Sequence, residues 1–326
     1  MNKTISAPTS LVSAIRYFSN PDVSLSFLAG LRWPDGVTCP RCGSDKNSFL
    51  TSRRIWKCKG CQKQFSVKLG TIFEDSPIGL DKWLPAIWLI VNAKNGISSY
   101  ELHRALGVTQ KTAWFMLHRI RLAMQSKTFN KFKGDVEVDE TYIGGLARFM
   151  HKGDRKQANQ SAALRSKTAV MGLLERHGHD PLDNGVSQVR VHVHVVPTSR
   201  RKHLFPNITA HVEPGAEVFT DAHPSYRGLE AEYVHQVIDH AECYAKGKVH
   251  TNGLENFWSL LKRGIKGTYV NVEPFHLFRY LDEQVFRFNN RKTKDVARFV
   301  TVVGQIIGKR LTYANLTGAD TTPSTT

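Results

Sequence analysis

The sequence predicts an α/β domain in its second half, set behind a small metal-knuckle module and a pair of helices. Three observations lead there. Four cysteines stand as two CxxC pairs within residues 39–61. Between Asp81 and Gln125 the apolar residues recur at helical spacing. From Asp135 onward, valine-rich runs and amphipathic stretches follow one another as three strands, helix, strand, helix, strand, helix, which is an α/β order.

The 326 residues suffice for two or three domains and at least one sizeable core. A hydrophobic content of 41% is ordinary for a soluble chain. The charge balance is not: 45 Lys+Arg against 28 Asp+Glu gives +17 and a pI near 9.8, which calls for a polyanionic partner. Nucleic acid leads, with an anionic membrane surface as the alternative. The most apolar run, Trp83 to Val91, is far short of the ~20 residues that span a bilayer. The opening MNKTISAPTS lacks a signal peptide's hydrophobic region, so a cytoplasmic protein is expected.

Residues 1–36 read as a helical lead-in, with an amphipathic run at Leu11 to Phe18 and the turn WPDG at Trp33 to Gly36. Residues 37–72 form a ribbon. Cys39, Cys42, Cys58 and Cys61 have the spacing C-x2-C-x15-C-x2-C, in which two knuckles direct four thiolates at one tetrahedral Zn2+. Protein supplies all four ligands, so this ion holds a fold. Short strands are expected at Ser48 to Leu50, Ile55 to Lys57 and Gln64 to Val67. Arg41, Lys46, Arg53, Arg54, Lys57, Lys59, Lys63 and Lys68 surround the site and suit phosphates. Cys243 stands alone and reads as a buried thiol or a bystander.

Residues 78–128 are helical. One helix runs from Asp81, with Pro85 tolerated in its first turn. A helix-turn-helix pattern follows: Ser98 or Ser99 caps the first helix, Gly107-Val108 makes the turn, and Thr109 caps the second. Ala113, Met116, Leu117, Ile120 and Met124 face inward, which leaves Gln110, Lys111, His118 and Arg121 for a DNA major groove. A basic linker, Ser126 to Gly134, closes this part.

Strands are then expected at Asp135 to Tyr142, Lys167 to Glu175 and Gln188 to Val196. In the third, Val189, Val191, Val193 and Val195 mark the core face, with Arg190, His192 and His194 on an exposed face opposite. A fourth strand, Ala216 to Thr220, ends at Asp221. Helical residues Tyr226 to Glu232 lead to a fifth strand at Tyr233 to Ile238. The helix Pro274 to Asn290 should turn Phe275, Phe278, Leu281, Val285 and Phe288 inward. Gly144 to Ser166 reads as a flexible loop and Thr198 to Asn207 as a basic-faced helix. Residues 296–326 read as a C-terminal helix and a tail, disordered from Tyr313.

The stretch HTNGLENFWSLLKRGIKGTY, His250 to Tyr269, carries two stripes at helical spacing. Leu254, Phe257, Trp258, Leu261 and Ile265 face a core, and Asn252, which is the expected N-cap, Glu255, Ser259, Lys262 and Lys266 gather beside them. Three acids then fall at element ends: Asp139, Asp221 and Glu255. Converging carboxylates suit Mg2+ or Mn2+, and two ions ~3.5–4 Å apart activate a water or 3′-hydroxyl and stabilise the leaving oxygen of a phosphodiester. Glu137 and Glu140 compete with Asp139 for the first position, and Asn252 with Glu255 for the last.

EVDETYIGG, VFTDAHPSY and the 250–269 stretch, behind the cysteine ribbon and helix-turn-helix, resemble the insertion-sequence transposases of the ISXO-like, zinc-ribbon type. The resemblance covers roughly residues 20–295. It implies a ribonuclease H-like DDE catalytic domain at 134–295, with a mixed five-stranded sheet and Asp139, Asp221 and Glu255 as its metal-binding acids. It further implies binding of the element's terminal inverted repeats, metal-dependent cleavage that frees 3′-hydroxyls, and joining of those ends to target DNA. Lys262, Arg263 and Lys266 are expected on the phosphate backbone near the scissile bond. The partners expected are double-stranded DNA and further copies of the chain, a homodimer or larger, associated with the nucleoid when bound. The alternative is a non-enzymatic zinc-ribbon regulator derived from such a transposase.

Overall fold

The computed structural model describes residues 8–125, 130–144, 167–179, 187–238 and 250–319. Cys243, most of the expected loop 144–166, linker residues 126–129 and the tail beyond 319 lie outside the described residues. The chain divides into two compact units, residues 1–125 with 292–326, and residues 126–291.

The first unit begins with α1 (Leu11–Phe18) and α2 (Pro21–Arg32). Ser10 and Ser13 form a reciprocal cap on α1, and Asn20 caps α2 with Pro21 at its first position. The ribbon follows as β1 (Asn47–Leu50), β2 (Ile55–Cys58) and β3 (Gln64–Phe65), all antiparallel. The helices α3 (Leu80–Asn92), α4 (Ser99–Leu106) and α5 (Gln110–Met124) come next. Pro85 is the sixth residue of α3, so it lies past the first turn where the sequence reading put it; its ring is buried. Ser98 and Glu101 make a capping box, Gly107 ends α4 in the left-handed region, and Thr109 caps α5.

The C-terminal segment belongs to this first unit. Helix α9 (Asp295–Gly304) brings Phe299 against Phe18, Phe27 and Trp88, with ring centroids 5.6, 6.0 and 5.2 Å away. Arg298 donates to Asn92, and Lys309 donates to the carbonyls of Ala123 and Gln125 at 3.0 and 2.8 Å. A tail disordered from Tyr313 is therefore corrected: α10 (Tyr313–Thr317) carries its own capping box, and Leu316 is fully buried.

The second unit is a five-stranded mixed sheet in the order β6-β5-β4-β7-β8. Its strands are β4 (Asp135–Ile143), β5 (Thr168–His179), β6 (Ser187–Val196), β7 (Glu217–Asp221) and β8 (Val234–Ile238). β4, β5 and β6 are antiparallel, whereas β7 lies parallel to β4 and to β8. Helices cover both faces. On one, α6 (Arg201–His211) sends Leu204 and Ile208 against Val136, Val138, Met171 and Val218. On the other, α7 (Asn252–Gly264) and α8 (Leu277–Asn289) send Leu254, Phe257, Trp258, Leu281 and Phe288 against Val170, Leu174 and Val191.

Two-sided burial corrects several expectations. Phe132, read as linker, is fully buried and bridges to Val212. His192 and His194 do not lie on an exposed strand face: they are half-buried beside His211 of α6. Phe275 and Phe278 face solvent, because residues 274–276 form a separate 3-10 turn and α8 starts only at Leu277. Thr251, not Asn252, occupies the cap position of α7, with no side-chain cap bond.

Candidate functional site

The sheet and α7 bring the three sequence-identified acids into one electrostatic neighbourhood. Asp139 sits on β4, paired across the ladder with Gly172 of β5. Asp221 ends β7, the parallel neighbour of β4, and Glu255 lies in the first turn of α7, solvent-exposed. Burial pushes the Asp139 carboxyl up to about 6, and the nearby Asp221 and Glu255 charges push it the same way. The indole Nε1–H of Trp258 donates to Asp139 Oδ2 at 2.9 Å, and the Glu140 amide donates to Oδ1 at 2.8 Å. Both bonds favour the charged form without overcoming burial.

Close approach of α7 to the sheet depends on two glycines. A Cβ on Gly172 would stand 2.6 Å from Trp258 Cζ2 and 2.9 Å from Leu254 Cδ2. One on Gly253 would meet the Glu137 carboxylate at 2.8 Å and Leu174 at 2.9 Å. With hydrogen at both positions the helix lies directly on β4 and β5, and the Trp258 indole reaches Asp139.

The competing acids have other surroundings. Glu137 shares a strand face with Asp139 but is only 1% exposed. Its Oε1 accepts from Arg176 Nε at 2.8 Å and its Oε2 from the Leu254 amide at 2.9 Å. It therefore pins the first turn of α7, where the amides carry partial positive charge. Glu140 points to the opposite face, beside the buried Tyr226 phenol, and burial pushes it up to about 8. Sequence reasoning gave no role to Arg176, Trp258 or Gly172 in holding these acids. The glycine inside the apolar strand KTAVMGLLE was the available signal.

Among the described residues, the carboxylates of Asp139, Asp221 and Glu255 do not form a closed cage; only the four cysteines and a histidine trio gather donor atoms within 4.8 Å. An open set of carboxylate oxygens fits a hard divalent cation that keeps waters and takes phosphate oxygens. The cysteine set is closed. Sγ atoms of Cys39 and Cys61 are 3.8 Å apart and those of Cys42 and Cys58 are 3.6 Å apart. The Cys61 and Gly60 amides donate to Cys58 Sγ and draw its thiol down to about 6, towards the thiolate that binds zinc.

The expected DNA contacts divide. Lys111 is exposed, with its ammonium 4.6 Å from the Tyr313 ring. Arg263 and Lys266 are exposed and Lys262 is half-buried, on the last turn of α7 and the π-helical turn after it. His118 and Arg121 are corrected: both are buried, at 0% and 1% exposure, and neither reaches a groove. Most of α5 is enclosed in the first unit, and their neighbour Arg119 is also tied inward, with Nε donating to the Leu311 carbonyl at 3.1 Å.

The chain thus joins a four-cysteine ribbon and helices to a mixed five-stranded sheet covered by helices on both faces, and the class of protein with these parts is that of the insertion-sequence transposases. Comparison with known proteins agrees. Residues 131–289 match the ISXO2-like transposase domain, and residues 20–64 match the transposase zinc-ribbon domain. The chain is 34% identical over 106 residues to an uncharacterized transposase-like protein of Haemophilus influenzae, covering 32% of this chain and 85% of that protein. It is 27% identical over 263 residues to an uncharacterized protein in transposable element ISH50 of Halobacterium salinarum, covering 76% of this chain and 84% of that protein. The chain belongs to the ISXO2-like, zinc-ribbon family of insertion-sequence transposases.

Proposed function

We propose that the chain binds the terminal inverted repeats of its insertion sequence, cleaves there to free 3′-hydroxyls, and joins them to target DNA. Asp139, Asp221 and Glu255 hold the divalent ions. Bound Mg2+ or Mn2+ would activate the attacking oxygen and stabilise the leaving one. The observation that carries this reading is the placement of the acids: Asp139 on β4, Asp221 at the end of its parallel neighbour β7, and Glu255 in the first turn of α7, whose Trp258 indole reaches Asp139 at 2.9 Å. A divalent cation between these elements would take carboxylate oxygens from all three. The strand order, with β7 parallel to β4 beside an antiparallel β4-β5-β6 meander, supports a ribonuclease H-like arrangement.

The protein's own groups do the positioning. Trp258 orients Asp139 through its indole N–H, and the Glu137–Arg176 pair sets the height of the α7 first turn and with it Glu255. Lys262, Arg263 and Lys266 follow Glu255 along α7 and hold the backbone near the scissile phosphate. Sequence recognition falls to the ribbon and to the α4–α5 pair, through Lys111 and the exposed Arg104 rather than the buried His118 and Arg121. Two ends must be cut together, so the active species is a dimer or larger.

The test is Mg2+-dependent cleavage of a duplex bearing the element's end. Glu255→Gln should abolish cleavage while end binding persists, and Asn252→Ala should retain it. Cleavage that survives the first substitution and is lost in the second overturns Glu255 as the third ligand.

A further inference from the structure

His192 and His194 of β6 and His211 of α6 gather on the α6 side of the sheet. One ring nitrogen from each lies within 4.8 Å of the other two. The ring centroids are 4.3, 4.6 and 4.5 Å apart. Asp139 and Gly172, with Trp258 over them, occupy the α7 side, so the trio is separate from the carboxylate site. We propose that these three imidazoles form a second transition-metal site, which takes Zn2+ and clips α6 to the free edge strand of the sheet.

Four features support the assignment. Neutral imidazole suits Zn2+, Ni2+ and Cu2+, whereas Mg2+ prefers oxygen, so the site selects a different ion from the carboxylates. Tetrahedral Zn2+ with bonds of about 2.0–2.1 Å holds its nitrogens about 3.3 Å apart, a contraction that side-chain rotation supplies. His211 Nδ1 donates to the Asn207 carbonyl at 2.7 Å; a carbonyl only accepts, so the tautomer is fixed and Nε2 presents its lone pair. His194 Nε2 is buried and has no hydrogen-bond partner among the described residues, which a coordinate bond would satisfy.

The surroundings tolerate an added cation. His211 is the last residue of α6, where the carbonyl ends of the helix carry partial negative charge. The cation on the same face of β6, Arg190, is neutralised by Glu175 at 2.6 Å. With three protein ligands the fourth position is left to solvent. The clip would act on an edge strand, since β6 pairs with β5 on one side only among the described residues.

The proposal does not depend on transposase chemistry, and its test excludes the carboxylates. Full-length Asp139→Asn protein, equilibrated with micromolar Zn2+ in excess Mg2+ and desalted, should carry two zinc ions per chain by elemental analysis. Adding His194→Gln or His211→Gln should leave one, with the ribbon zinc retained. Cd2+-loaded protein read by 113Cd NMR needs no histidine variant. It should show an all-sulfur resonance and a separate nitrogen-ligand resonance. One zinc per chain with a single all-sulfur resonance overturns the proposal, as do two zinc ions in the histidine variants.

Discussion

Replacing Gly172 with alanine tests how the site is positioned, because the substitution adds one carbon where α7 meets the sheet. That carbon would lie 2.6 and 2.8 Å from two ring atoms of Trp258 and 2.9 Å from Leu254. Ordinary carbon contacts are about 3.5–4.0 Å, so the neighbours must retreat by about 1 Å. The backbone of Gly172 is fixed between β4 and β6, and the indole is a rigid plane, so the helix moves. The bond from Trp258 to Asp139, now 2.9 Å, then exceeds the ~3.2 Å limit for a good N–H···O bond, and Glu255 shifts with its helix. Overpacking of this kind costs about 1–3 kcal/mol, and a 1 Å misplacement of a reacting group costs about 100-fold in rate. Denaturant unfolding reads the first and single-turnover cleavage of an end duplex reads the second. Wild-type stability together with a wild-type rate in Gly172→Ala would refute the argument that close helix–sheet contact sets the acid geometry.

Three further outcomes are expected. Arg176→Ala leaves Glu137 buried without its guanidinium and should destabilise the protein by about 3–5 kcal/mol in denaturant unfolding, whereas Arg176→Ala with Glu137→Gln recovers part of that loss. Burial raises Glu140 from 4.5 to about 8, so the folded chain binds that proton more tightly than the unfolded one. Its contribution is complete below about pH 4.5 and is lost as pH rises through about 8. Metal-free protein should therefore melt lower at pH 8 than at pH 6, with the difference reduced in Glu140→Gln; an equal slope in both proteins would exclude this cause. Cys58→Ser or chelation should remove the ribbon zinc and lower affinity for end DNA, while circular dichroism still reports a cooperative transition for the sheet unit.

The local elements were legible because their signals are local. The CxxC spacing, the Ser98–Glu101 and Thr109 caps, and the apolar stripe of α7 each act within a few residues. What failed needed partners distant in sequence. A helical wheel of α5 leaves His118 and Arg121 on a polar side, but both are buried in the folded unit, whose helices and returning C-terminal segment enclose most of α5. The alternation of β6 separates valines from histidines correctly; it cannot report that α6 covers the histidine face as well. Glu137 and Asp139 are equivalent by strand period, and only Arg176 and the α7 amides distinguish them. The acids were assigned from motif order, whereas Gly172 and Trp258, which set how α7 meets β4 and β5, act through packing that no local pattern reports.

The central claim is that Asp139, Asp221 and Glu255 form one divalent-ion site, and Mn2+ binding measured by electron paramagnetic resonance tests it most directly. In complex with a short end duplex, the wild type should bind Mn2+, and Asp139→Asn, Asp221→Asn and Glu255→Gln should each weaken that binding at least tenfold, with Asn252→Ala unchanged. Undiminished Mn2+ binding in Asp221→Asn or Glu255→Gln would contradict it.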